Sequence, residues 1–499
     1  LGSYLLFASF GLVFLSGKIL GFFSSPADFE KLFYSDPSLF YLTGRILLGV
    51  IPGTLCIWAL YKLAKKYFSE SAALVSALFL AVCFLHVRDS HYIYVDILLN
   101  LFIILAFYAF FQHSSGSGAG TGQVLLSGML IGLAAAAKYN GAILGIVYVF
   151  YEFLTRPRSA LRNIFLAVAG AGLIFIILNP FALLDAHTFI QELRMQGQAQ
   201  GGTPWLHHLT YSLSGALGWP MLVVCLAGVV LGFLSTDARL KTLSFFCVIY
   251  YAVLVKAGQP YDRYVLPLIP VLCLLGAWVW DTQYCLKNSA QNKFLSLLFL
   301  GMILFTPLAK SVVWDLVMNR QDVRTVSKAW IEKNIEPGSS IALEWEFYMP
   351  RLSFSKDQLI AKKTEAAAGF ARSPAQMRKL DFLISQESKP GYKLHFLVPD
   401  IKQERFLFGK PVVPYDFESL KARGIKYVLT AEFSGKTVPA SFFKQLEAGA
   451  EKIKSWSPFK NQSQQVSFDE LPLTGGPFRT EDIMSRNRNG YVLTLYRLR

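Results

Sequence analysis

Three short segments put ionisable side chains inside or beside long apolar runs, where an ion costs roughly 2.5–3.5 kcal/mol even on insertion scales and so invites a functional reading. They are Arg88-Asp89-Ser90-His91-Tyr92-Ile93-Tyr94-Val95-Asp96, then Lys138-Tyr139-Asn140-Gly141, and finally Lys256 to Tyr264, which carries Asp262 and Arg263 and is followed by Pro267. Two cations, Lys138 and Arg263, beside an acidic rim suit a phosphate at a membrane surface, because buried cations stabilise a departing anion. Each segment also has a plainer explanation. Asp96 could simply cap a helix, since its start favours a carboxylate. Lys138 could snorkel to the headgroups, and Asp262 with Arg263 could be an interfacial anchor. His207 and His208, between Trp205-Leu206 and Gly218-Trp219-Pro220, read as part of an aromatic belt. No His or Cys spacing suits zinc, and no Ser-His-Asp order stands out. The six cysteines, Cys56, Cys83, Cys225, Cys247, Cys273 and Cys285, all lie in or beside apolar runs and read as small buried hydrophobes without a disulfide framework. Asn461-Gln462-Ser463 is a glycosylation sequon, relevant only in a eukaryotic secretory route.

The elements that must position these residues follow from composition. Of 499 residues, 53% are hydrophobic and 16% charged, with a mean hydropathy of +0.40, which is a membrane protein's profile. Long apolar runs argue against a barrel, and the composition excludes disorder and fibrous folds. The net charge of +15 is spread: Ser311 to Arg499 holds 29 basic and 21 acidic residues, leaving 19 and 12 before it. Neither part has the dense basic stripe of a nucleic-acid binder. The clearest spans are Phe40 to Tyr61, Ala72 to Val87, Val95 to Phe111, Asn163 to Leu178, Trp219 to Leu234, Thr242 to Val255, Tyr264 to Trp280 and Phe294 to Leu308. Val124 to Phe153 is interrupted at Lys138 to Gly141 and reads as two short helices. That choice puts Arg156, Arg158 and Arg162 on the cytoplasmic side with Lys62, Lys65 and Lys66, and Arg239, Lys241, Lys287 and Lys293 follow with the same parity. The flexible run Ser114 to Gly122 falls on that side, without the spacing of a phosphate cradle.

This gives about ten crossings, with all three polar segments and everything after Lys310 on the outer side. Tyr4 to Phe23 is apolar too, but Lys18 and the parity favour a helix lying at the outer interface. The first residue is Leu, within an apolar stretch, so the sequence reads as a fragment lacking a first transmembrane helix and the loop after it. Residues 1–310 form the multi-spanning part. Residues 311–499 have the composition of a soluble domain: Val323, Val326, Trp330 and Ile331 share a helical face, Ser340 to Leu343, Leu394 to Val398, Lys426 to Thr430 and Tyr491 to Tyr496 read as strands, and Phe417 to Arg423 as a helix. The expectation is a small α/β domain on the extracytoplasmic face.

The stretch Ser90 to Asp96, the segment Gly132-Leu133-Ala134-Ala135-Ala136-Ala137-Lys138-Tyr139-Asn140-Gly141 and the motif Arg263-Tyr264-Val265-Leu266-Pro267 together resemble glycosyltransferase family 39, the dolichyl-phosphate-mannose protein mannosyltransferase-like group, which also includes bacterial aminoarabinose transferases acting on lipid A. The resemblance runs over most of Leu1 to Lys310, and Gln321 through Gly338 looks like the start of the outer domain of bacterial and archaeal members. It implies an all-α polytopic membrane domain of the GT-C type, truncated at its N-terminus, followed by the α/β domain. The implied chemistry is inverting transfer of a mannose-like or other hexose from a polyprenyl-phosphate carrier to a hydroxyl on protein, lipid or glycan. By motif match Lys138 and Arg263 would hold the carrier phosphate. Asp96 would be the second acidic residue near acceptor or sugar, the general base being expected in the part that precedes Leu1. Arg88, His91, Tyr92, Tyr139, Asn140, Asp262 and Tyr264 are possible substrate-lining residues.

No cofactor and no metal are expected, since two cations can do the metal's work on the phosphate. The expected partners are the bilayer, the donor lipid and the acceptor, with no nucleic acid, and the expected location is the plasma (inner) membrane of the cell envelope. A transporter or flippase of lipid-linked sugars would also want cations for a phosphate, but it needs polar groups on both faces of a continuous path. A structural subunit that recruits partners would instead leave Asp96, Lys138 and Arg263 apart.

Overall fold

The computed structural model describes residues 1–112, 120–197, 204–256, 260–282, 290–344, 348–368, 373–386, 391–398, 412–434, 440–464, 466–467 and 478–499. Most of the Ser114 to Gly122 connection, Ala257 to Gln259, Cys285 and Lys287 lie outside the described residues. The chain divides into two compact units. The first comprises Leu1–Phe22 and Ser38–Val312, and the second comprises Phe23–Pro37, Val313–Pro472 and Gly476–Arg499.

The first unit is helical throughout. All ten runs that read as crossings are helical, and Val124 to Phe153 splits as expected, into Thr121–Ala137 and Ile143–Thr155 joined by a 3-10 turn at Tyr139–Ala142. The count of about ten crossings is not reproduced by length and apolarity. Among the described residues six helices are long and apolar enough to cross a membrane, or seven if the bent pair His208–Leu217 and Trp219–Leu234 is one span. Several of the remainder are short: Glu70–Val82, Asp96–Phe111 and Thr121–Ala137 have 13, 16 and 17 residues. At a rise of about 1.5 Å per residue they fall short of a hydrocarbon core about 30 Å thick. Gly2–Ile19 is one of the six, so the stretch read as an interfacial helix is long enough to span.

In lipid there is no hydrophobic drive between helices, so close packing has to hold them. Thr121–Ala137 meets Ala160–Leu178 through Gly128 and Gly132, where added Cβ atoms would stand 2.2 Å from Ala167 O and 2.5 Å from Ala171 O. Asp96–Phe111 packs between Ser38–Tyr67 and Thr121–Ala137 and is buried along most of its length. Cys56, Cys83, Cys225, Cys247 and Cys273 are buried free thiols.

The second unit is built on a sheet whose main path runs β2-β3-β1-β5-β8-β6, with β4 on β3 and β7 on β5. The strands are β1 Ser340–Leu343, β2 Ser353–Phe354, β3 Gly391–Val398, β4 Val412–Pro414, β5 Tyr427–Ser434, β6 Ala450–Trp456, β7 Val466–Ser467 and β8 Val492–Leu498. β3, β1 and β5 are parallel, while β5, β8 and β6 are antiparallel. Side chains alternate across a strand, so Ile341 and Leu343 pack on one face with Val323, Ile331 and Tyr392, and Ala342 packs on the other with Phe417, Leu420, Val428 and Leu446. Burial on both faces is what makes these strands read as nearly unbroken apolar runs.

The separate piece Phe23–Pro37 holds the helix Pro26–Ser35, started by a reciprocal capping box between Ser25 and Asp28. It docks on the helix Pro374–Ser385. Arg378 Nε donates to both carboxylate oxygens of Glu30 at 2.9 and 2.8 Å, and Tyr34 OH donates to Ala375 O at 3.1 Å. Nothing in the sequence pattern signals this exchange, because its partners are about 340 residues apart.

Candidate functional site

The helix Thr121–Ala137 stops because Lys138 turns to an extended conformation, φ −156° and ψ 134°, which carries its side chain off the helix wall. Lys138 Nζ donates to Asp96 Oδ1 at 2.6 Å. Asp96 is the first residue of its helix, so the favourable helix start and the lysine both act on one carboxylate. The Lys138 side chain is 25% exposed and that of Asp96 only 5%, so the lysine is the more accessible member of the pair. Lys138 Nζ also sits 4.3 Å from the centre of the Tyr264 ring.

Arg263 approaches the same ring from its own segment, with Cζ at 5.8 Å, and lies 4.9 Å from the Tyr94 ring and 5.0 Å from that of Tyr261. Such cation–aromatic contacts are worth about 0.5–2 kcal/mol each. Among the described residues Arg263 has no carboxylate partner within ion-pair distance. The first, second and third polar segments therefore meet at Tyr264, with Asp96, Lys138 and Arg263 brought together and not scattered.

Arg88 and Asp262, expected as possible substrate-lining residues, form a buried ion pair. Their side chains have no exposure and face each other. Arg88 Nη1 donates to Asp262 Oδ2 at 2.7 Å, Nη2 to Oδ1 at 3.2 Å, and Nε to Asp89 Oδ1 at 2.8 Å. The other expected residues divide. The Tyr92 ring lies tilted against that of Tyr94 at 5.6 Å and His91 Nδ1 is 2.8 Å from Val87 O, both half-buried beside the pair. Asn140 donates to Tyr250 OH at 2.5 Å. Tyr139 points elsewhere, into a cavity of about 340 Å³ that it shares with Asn179, Asp185, Thr188 and Phe189.

The loop that ends in Asp96 is held by Ser38–Tyr67, which widens to a π turn at Ile46–Val50. Gly49 and Gly53 let Ser90 lie directly on that helix. A Cβ on Gly49 would be 2.2 Å from Ser90 O, and one on Gly53 would be 2.4 Å from Ser90 Oγ. Sequence reasoning missed Asp89, Tyr94, Tyr250 and Tyr261 as individual partners. It also missed Lys310, treated only as a boundary, which is buried, donates to Gly215 O at 2.7 Å and lies over the Phe84 ring. Another buried acid, Glu152, sits near the far end of Ile143–Thr155 and accepts from Arg156 at 2.9 Å and Asn163 at 2.8 Å. Its signal was the i, i+4 spacing to Arg156. Trp205 and Leu206 are exposed, as an aromatic belt requires, while His207 Nε2 is 3.2 Å from Pro260 O, beside the Arg263 segment.

Residues 41–183 match the family model of dolichyl-phosphate-mannose-protein mannosyltransferase. That span includes Asp96 and Lys138, and the Arg263 segment lies beyond it. No curated protein matches the sequence. Among solved structures, ArnT from Cupriavidus metallidurans in the apo state is similar at a TM-score of 0.50 and 12% identity, over 94% of this chain and 86% of that one. The same protein bound to undecaprenyl phosphate gives 0.48 and 12%, over 94% and 87%. An Archaeoglobus fulgidus oligosaccharyltransferase in the apo form gives 0.41 and 11%, over 91% and 78%. The resemblance read from the motifs is thus matched over residues 41–183, which carry the first two of them, and the fold of this multi-pass membrane protein is similar to that of ArnT.

Proposed function

We propose that this protein is a membrane glycosyltransferase that moves a sugar from a polyprenyl-phosphate carrier to an acceptor hydroxyl at the outer face of the membrane. The observation that carries this reading is the meeting of Lys138, Arg263 and Asp96 around Tyr264, built from three segments far apart in sequence. The family model, which is named for a polyprenyl-phosphate sugar donor, supports it.

In the transfer, the acceptor oxygen bonds to the anomeric carbon as the bond to the phosphate oxygen breaks, with inversion, and the electron pair leaves on the phosphate. Negative charge thus grows at the phosphate, where Lys138 and Arg263 stabilise it more in the transition state than in the ground state. Asp96 holds the lysine in place near sugar or acceptor. Its Oδ1 is already engaged by the Lys138 ammonium at 2.6 Å, so the acceptor's proton is assigned to a base other than Asp96. The sugar is mannose-like or another hexose, the acceptor is protein, lipid or glycan, and no metal is assigned because the two cations supply the positive charge. The proposed setting is the plasma (inner) membrane, with the α/β unit on the extracytoplasmic side.

A radiolabelled polyprenyl-phosphate sugar, supplied to the protein in nanodiscs, tests this directly. Label should leave the carrier in wild type, and this should collapse in Lys138→Ala and in Arg263→Ala. If the carrier bond stays intact while the lipid changes leaflets, the flippase reading replaces the transferase, and the Glu152 cluster becomes the place to look for the second polar face.

A further inference from the structure

The side chains of Arg88, Asp89 and Asp262 have no exposed surface from which to touch a substrate, yet Asp262 is the chain neighbour of Arg263 and Asp89 opens the loop to Asp96. A buried ion pair is a poor stability device, because desolvation cancels much of the attraction and a well-packed apolar replacement often does as well. What it supplies is geometry. A guanidinium held by two parallel bonds to one carboxylate is fixed in position and in plane, which a lysine could not reproduce.

Here the plane belongs to Asp262, the first residue of the 3-10 helix Asp262–Leu268 and the immediate neighbour of Arg263. The same guanidinium holds Asp89, at the end of the helix Phe84–Asp89, from which the loop runs to Asp96. One buried side chain therefore ties the segment that carries Arg263 to the segment that leads to Asp96, across 174 residues of sequence.

We infer that Arg88 is a positioning residue for the phosphate site, setting through Asp262 where the Arg263 guanidinium stands relative to Lys138. This rests on the transferase reading, in which Arg263 binds the carrier phosphate. Arg88 itself touches neither phosphate nor sugar.

The test uses the whole protein in nanodiscs, with undecaprenyl phosphate as binding probe and thermal unfolding as the control for folding. Arg88→Lys keeps the charge and loses the fork. Arg88→Gln with Asp262→Asn removes the charges of the bidentate pair and leaves Asp89 beside an amide of similar shape. Both should unfold within a few degrees of wild type, bind undecaprenyl phosphate about tenfold or more weakly, and raise KM for the labelled donor by a similar factor. Folded variants that bind the probe like wild type overturn the inference. So does a double variant that fails to fold, since the cluster is then structural. Arg263→Ala separates the two levels: if it leaves probe binding unchanged, the phosphate reading itself is wrong, whereas weak binding in Arg263→Ala with normal binding in the Arg88 variants rejects the positioning role alone.

Discussion

Replacing Lys138 by alanine removes a charge-assisted hydrogen bond and a cation–aromatic contact from one point in the molecule. A hydrogen bond to a charged group is worth about 1.5–3 kcal/mol, and each 1.4 kcal/mol is tenfold, so loss of the ammonium should weaken undecaprenyl phosphate binding roughly 10- to 150-fold. The lower half of that range applies, because the lysine side chain is 25% exposed and partly screened by solvent. Asp96 separates this effect from simple damage. A phosphate arriving at Lys138 meets an ammonium already held by Asp96 at 2.6 Å. Asp96→Asn relaxes that hold and should leave phosphate affinity unchanged or tighter, while turnover falls. The double variant should bind as weakly as Lys138→Ala alone. Binding can be followed by titrating the lipid into nanodiscs, with thermal unfolding alongside to show that each variant is folded. A folded Lys138→Ala that binds within threefold of wild type, or an Asp96→Asn that binds as weakly as Lys138→Ala, refutes the assignment of the phosphate to this lysine.

Three further outcomes follow from particular contacts. Gly49→Ala should lower the unfolding temperature more than Gly53→Ala, because it would meet the backbone carbonyl of Ser90 where the other meets a hydroxyl that can move; overpacking of this kind costs about 1–3 kcal/mol, and Ser90→Ala should restore Gly53→Ala only. In the second unit, burial and then Arg423 and Lys393 push the His395 imidazole below its ordinary range. Below about pH 6.5 the unfolded chain gains a proton that the folded one resists, so stability should fall with pH from there, and His395→Gln should flatten that slope in unfolding curves at pH 7 and 5.5. Arg378→Ala should cost no more than about 1 kcal/mol in global stability, since the pair with Glu30 is largely exposed, yet should raise hydrogen exchange over residues 26–35.

Much of the architecture was legible because the chain obeys simple solvent rules. Each apolar run read as a crossing is helical, and the interruption at Lys138 to Gly141 marks the break in Val124 to Phe153. β1 appears at Ser340–Leu343, where four residues of alternating packing follow a turn. Span counting was less secure, because a helix of 13 residues and one of 19 can have equally apolar sequences while only the second covers the bilayer. The docking of Pro26–Ser35 on Pro374–Ser385 was not legible at all, since it depends on one exposed ion pair and one tyrosine, neither of which leaves a periodic trace.

The site residues were visible for a different reason, and so was the limit on reading them. An ion within an apolar run stands out by its cost, which marked Arg88, Asp96, Lys138, Asp262 and Arg263 equally. Sequence could not say which carboxylate would neutralise which cation, and that pairing assigns the roles. Arg88 is met by two buried carboxylates, so its charge is more than cancelled and it has little to offer a ligand. Lys138 is met by one, and its side chain stays 25% exposed. Arg263 is surrounded by the faces of Tyr94, Tyr261 and Tyr264, which orient a guanidinium without cancelling its charge. The positive charge therefore rises from Arg88 through Lys138 to Arg263. A carrier phosphate gains negative charge as its bond to the sugar breaks, so the least neutralised cation contributes most at that moment. On this argument both variants should lose more turnover than affinity for the donor, and Arg263→Ala should lose more turnover than Lys138→Ala.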